Sequence, residues 1–79
     1  MNDEDIIRRI QEVVRDQLDD ETITLNRATR ADEVEDWDSL AHVRIMIGVE
    51  EEFGVRFQTS EITSLKNIGG LVDLIRARL

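Results

Sequence analysis

Apolar residues recur along this chain with the period of an α-helix, and that periodicity limits the possible folds more than any other feature. In residues 4 to 18, Ile6, Ile7, Ile10, Val13, Val14 and Leu18 stand among charged neighbours. The i, i+3, i+4, i+7 spacing is the stripe of an amphipathic helix. Asp3, Glu4 and Asp5 suit its positive end. Asp38-Ser39 opens a second helix that runs to Phe53, with Gly54 as its stop. Either Asp38 or Ser39 can be its N-cap, since both side chains accept from first-turn amides. Val55, Arg56 and Phe57 read as a short extended link, and Thr59 or Ser60 caps a brief third helix near Glu61 to Ser64. Asn67 caps a final helix carrying Ile68, Leu71, Val72, Ile75 and Leu79 at helical spacing. Gly69 and Gly70 weaken its first turn, while Arg76 and Arg78 suit its negative end. Proline is absent and Phe, Trp and Tyr total three, which favours helix over a sandwich of short strands. The expectation is an all-α, small four-helix bundle: three longer helices, one short third helix, and a long loop between the first two.

Seventy-nine residues make a single domain, residues 1–79. With no cysteine there is no disulfide and no thiolate metal site, and with one histidine, His42, no multi-histidine metal site. Met1-Asn2-Asp3-Glu4-Asp5 is acidic where a secretory leader starts basic, and no apolar run approaches a membrane span. A soluble, cytoplasmic monomer is expected. Eighteen acidic against ten basic residues give a net charge of −8, which repels nucleic acid and anionic membranes. Such a chain is steered toward partners with basic patches.

Residues 19 to 38 show no sustained period; Ile23, Leu25 and Val34 are candidates to pin this loop to the core. Asp32, Glu33, Glu35, Asp36 and Asp38 crowd its end, leading into the second helix. That helix carries two apolar stripes where a small bundle requires one. Ile45, Met46, Val49 and Phe53 share the core side with His42; Leu40, Val43 and Ile47 form another stripe beside Ser39, flanked by Arg44, Glu50 and Glu51. The second stripe is either a partner-docking face or a surface that neighbouring helices cover.

Asp38-Ser39-Leu40 at a loop-to-helix junction, followed by Glu50-Glu51-Glu52-Phe53-Gly54-Val55, resembles the acyl carrier protein family. The likeness spans nearly the whole chain. It implies a bundle of acyl-carrier-protein type, and no enzyme activity of the chain's own. It implies that Ser39, preceded by Asp38, takes a 4′-phosphopantetheine arm from coenzyme A through a phosphopantetheinyl transferase. It further implies that an acyl or related unit rides on the arm as a thioester between loading and receiving enzymes. Leu40, Val43 and Ile47 match positions where family members meet their enzymes; Glu50 and Glu51 match acidic positions that meet basic patches. Family members of fatty acid synthesis usually carry leucine and glycine where this chain has Glu35 and Asp36, and acids where it has Ala41 and Arg44. The WDSLAHV stretch, with FGVRF and SLKNIGGLV, looks more like stand-alone carriers of specialised pathways, including those for glyceryl or aminoacyl units.

Rival readings are weaker. Ser39 and His42 at i and i+3 invite a catalytic triad, but a triad also requires an oxyanion hole and a substrate pocket. An EF-hand requires a central glycine and a glutamate at its twelfth position, which the acids from Asp32 to Asp38 do not supply. A helical interaction domain of the same fold without an arm is the remaining alternative.

Overall fold

The computed structural model describes all residues from Met1 to Leu79. Four helices, α1 (Asp3–Leu18), α2 (Ser39–Phe53), α3 (Thr59–Thr63) and α4 (Ile68–Arg78), enclose one apolar core. A single 3-10 turn, Ala31–Glu33, interrupts the long loop between α1 and α2. None of the buried side chains is polar or charged. Stability therefore rests on apolar burial, at about 25 cal/mol for each Å² of apolar surface removed from water.

Local chemistry sets each helix end. Asn2 caps α1, its side chain accepting from the Asp5 amide at 2.9 Å. Asp19 ends α1 in the left-handed region at φ 51°. Ile6, Ile10 and Val14 are fully buried, with Ile7, Val13 and Leu18 half-buried around them. Gly54 ends α2 at φ 66°, a conformation that glycine adopts without a Cβ penalty. The short helix begins earlier than the sequence suggests. Gln58, not Thr59 or Ser60, precedes it, and the Glu61 carboxylate accepts the Gln58 amide at 2.8 Å. Asn67 caps α4 as expected, accepting from the Gly70 amide at 2.8 Å. Leu79 lies just past the last turn of α4 and is exposed, so the buried stripe of that helix ends at Ile75.

The long loop is tied down at several points. Ile23 and Leu25 are buried, and Val34 is half-buried against the core. Arg15 Nε donates to the Ile23 carbonyl at 2.8 Å, and Gln11 accepts from the Leu25 amide at 2.9 Å. The loop also supplies carbonyls to the start of α4: Thr29 accepts from Ile68 and Arg27 from Gly69, both at 2.9 Å. A Cβ at Gly69 would lie 3.1 Å from the Arg27 carbonyl oxygen, so the glycine that weakens α4 by propensity permits this approach. A second close approach joins α1 to α2, where a Cβ at Gly48 would stand 2.8 Å from Val13 Cγ1. Asp3 pairs with both Arg76 and Arg27, linking the first turn of α1 to α4 and the loop. No helix is long and apolar enough to cross a membrane.

Candidate functional site

The loop enters α2 through a tight turn. Asp36 has φ 70°, in the left-handed region, and its carbonyl accepts from the Asp38 amide at 3.0 Å. An aspartate tolerates this conformation better than most side chains, and a glycine would adopt it more readily still. Beside this turn Trp37 lies in the core, only 9% exposed. Asp38 is extended and caps α2, its carboxylate accepting from the Ala41 amide at 2.8 Å. The cap is thus Asp38 alone, and Ser39 becomes the first helical residue, exposed, with its hydroxyl outside the capping bond. The amides of Ser39 and Leu40 precede the first bonded turn, since the carbonyl of Asp38 is reached by the His42 amide at 2.9 Å.

His42 joins three elements. The Trp37 indole N–H donates to its Nδ1 at 3.0 Å, and its Nε2 lies 3.1 Å from the Ile62 carbonyl of α3. An indole nitrogen only donates. Nδ1 is therefore the acceptor, and Nε2 carries the proton that it gives to Ile62. His42 does face inward, as its helical position implies, but it is half-buried rather than enclosed. With both ring nitrogens engaged, it is not available as a base for Ser39.

The two stripes of α2 part company in the structure. Ile45, Met46 and Val49 are at most 1% exposed and Phe53 is 8% exposed. Leu40, Val43 and Ile47 are 66%, 52% and 50% exposed. No neighbouring helix covers this second stripe. Arg44 and Glu51 are exposed on the same side of the helix. Glu50 differs: it is half-buried, and its carboxylate accepts the Phe57 amide at 2.8 Å, fastening the segment that follows Gly54. The acids from Asp32 to Asp38 all reach solvent, but Asp32 pairs with Arg30 at 3.3 Å and Glu33 accepts the Arg30 amide at 2.8 Å.

Between α2 and α3 runs a groove of about 630 Å³ that begins at Ser39 and is walled by Val43, Ile47, Thr59 and Ile62. An exposed hydroxyl at a helix N-terminus, with unbonded amides beside it, suits a covalently attached anion, because the helix end favours negative charge. The apolar and polar wall next to it suits a flexible chain bearing amides. Sequence reasoning missed Trp37 as a core residue and missed the His42 bridge. The signal for Trp37 was the lone tryptophan beside the site; nothing local signals the carbonyl of Ile62.

No family model matches the chain. Among curated proteins it is similar to an acyl carrier protein of Thermosynechococcus vestitus, 31% identical over 80 aligned positions that cover 100% of this chain and 98% of the relative. It is 31% identical over 71 positions to polyketide-8 synthase acyl carrier protein 2 of Streptomyces avermitilis, covering 90% of this chain and 82% of that one. Among solved structures it is similar to a holo acyl carrier protein from Geobacter metallireducens determined by solution NMR. That match has a TM-score of 0.84 and 32% identity, covering 92% of this chain and 84% of that one.

Proposed function

The chain belongs to the acyl carrier protein family, and from that membership we propose that Ser39 is the residue bearing its 4′-phosphopantetheine arm. The protein is a carrier: the arm ends in a thiol, a group this cysteine-free chain lacks, and holds the acyl unit on it as a thioester. The single observation that carries the assignment is the division of labour at the start of α2. Asp38 does the capping, and that leaves the Ser39 hydroxyl exposed at the end of the groove. The Ser39 and Leu40 amides favour the phosphodiester there, and Asp38 holds the first turn in place. The chain carries out no chemistry of its own; the engagement of both His42 nitrogens supports this.

Partners are a phosphopantetheinyl transferase and the biosynthetic enzymes that load and receive the cargo. They dock on Leu40, Val43 and Ile47, a reading supported by the exposure of that stripe. Glu51 steers basic partners toward it. Arg44 interrupts the acidic surface at the serine end of the same side, which favours enzymes of a specialised pathway over those of housekeeping fatty acid synthesis. The protein works in the cytoplasm as a monomer.

Incubation with coenzyme A and a broad-specificity transferase tests the attachment. Mass spectrometry should show one added phosphopantetheine on the wild type and none on Ser39→Ala. A wild type that gains no mass with several transferases would instead be the arm-less interaction domain.

A further inference from the structure

The groove beside Ser39 and the core beneath it are separated by a hydrogen-bonded bar. Ala31, Trp37, His42 and Leu65 form a common wall, lining the outer groove on one side and a small void on the other. The outer space is about 630 Å³; the small cleft behind the wall, against Met46 and Leu71 and opening past Lys66 and Asn67, is about 30 Å³. An inner space of that size has room for about two waters. An alkyl chain coming from the Ser39 groove reaches it and widens it only if the wall opens.

Two polar contacts hold the wall shut. The Trp37 indole donates to His42, and His42 donates to the Ile62 carbonyl, so the bar runs from the loop through α2 to α3. Swinging either ring aside breaks a bond and strands the indole N–H or the carbonyl, which a hydrocarbon cannot satisfy. The outer groove is different in character. Asp32, Asp38, Thr59 and Thr63 border it, offering carboxylates and hydroxyls to a polar cargo. Methylenes of a long chain lying there would remain partly wet and gain little from burial.

We propose that the Trp37–His42–Ile62 bar is the cargo-selecting element of this carrier, keeping the attached unit in the outer groove so that the protein serves short or hydroxyl- or amino-bearing acyl units rather than long alkyl chains. This rests on the assignment of the arm to Ser39. Trp37 and His42 act as positioning residues, by holding the wall closed.

The experiment loads the full chain with butyryl-, octanoyl- and tetradecanoyl-phosphopantetheine from the matching coenzyme A thioesters, with release of adenosine 3′,5′-bisphosphate, and checks each product by mass. The readouts are the melting temperature and the indole N–H resonance, which is unique because Trp37 is the only tryptophan. In the wild type neither should change with chain length. In His42→Ala the melting temperature should rise from butyryl to tetradecanoyl, as burial of the chain stabilises the folded state, and the indole resonance should move with it. Trp37→Phe, which keeps a ring but loses the donor, should show the same rise in melting temperature and serves if His42→Ala does not fold. A wild type whose melting temperature and indole resonance both climb with chain length overturns the proposal while leaving Ser39 as the attachment site. Variants as indifferent to chain length as the wild type overturn it too. A wild type that gains no mass at all overturns the Ser39 assignment and the proposal with it.

Discussion

Helices α1 and α2 pack against each other and bury similar side chains, yet their outer faces differ. The outer face of α1 is charged and largely closed on itself. Arg8 pairs with Asp5, and Arg15 with Glu12, while Arg9 reaches across to Glu52 at 2.8 Å. The outer face of α2 presents Leu40, Val43 and Ile47 to water. A helix whose apolar residues all point inward explains itself by packing alone. One that leaves three large apolar side chains exposed does not, and such a surplus is what a docking surface presents.

That contrast breaks most readily at the inner face. Phe53 packs in the core with the Arg9 guanidinium over its ring, 4.6 Å from the centroid. Phe53→Ala should cost about 3–5 kcal/mol in urea unfolding, the range for truncating a buried phenylalanine. Little change on that substitution would mean that the inner stripe is not core.

The two neighbours at the start of α2 are separated next. Asp38→Ala removes a cap and should cost about 0.5–2 kcal/mol. Ser39→Ala, at an exposed position outside the cap, should stay within about 0.5 kcal/mol of wild type. Equal losses at the two positions would return the cap to both residues and weaken the case for a free hydroxyl.

On the outer stripe the expected effect on stability is smaller and the effect on function larger. Val43→Ser and Ile47→Ser should leave unfolding within about 0.5 kcal/mol of wild type, yet slow transfer of the arm to Ser39 severalfold. Glu51→Lys should slow it through association, with a penalty that shrinks as salt rises. Glu50→Lys should also loosen the fold, because it releases the Phe57 amide. Unfolding of the Val43 and Ile47 variants would show that the stripe is ordinary core.

The slightest effect concerns the first turn of α1. Arg76, and then Arg27, hold the Asp3 carboxyl below its usual 3.8. A carboxyl depressed on folding adds stability above its unfolded value and loses it as pH falls through the folded one. Asp3→Asn should therefore lower the melting temperature slightly at neutral pH and flatten its decline below about pH 4. A variant whose acid limb matches the wild type would show that the pairing contributes nothing.

Much of the fold was legible because helices advertise themselves. The stripes of α1, α2 and α4, the cap at Asn67 and the stop at Gly54 all follow from period and local chemistry. What stayed hidden depends on side-chain-to-backbone contacts that the helical period does not encode. Gln58 rather than a threonine or serine holds the N-cap position before α3, because Glu61 reaches back to its amide. Glu50 reads as a surface acid until its contact with Phe57 is seen. The site shows the same split. Ser39 is visible from its neighbours, but the bridge through His42 needs a carbonyl 20 residues away. Exposure of Leu40, Val43 and Ile47 could not be decided from period, because any helix can be covered by another.

The close approach of Gly48 to Val13 ties the helix that bears the exposed stripe to a residue on another helix. Valine is branched at Cβ and has little freedom to move aside, so positions 13 and 48 divide one fixed volume between them. Position 48 cannot gain a side chain unless position 13 loses bulk. Because α2 is keyed into α1 at this point, the direction in which its outer side chains point is set from behind. Descendants of this sequence can vary the exposed Leu40, Val43 and Ile47 without disturbing the core, but they inherit the glycine at position 48 together with the valine opposite it.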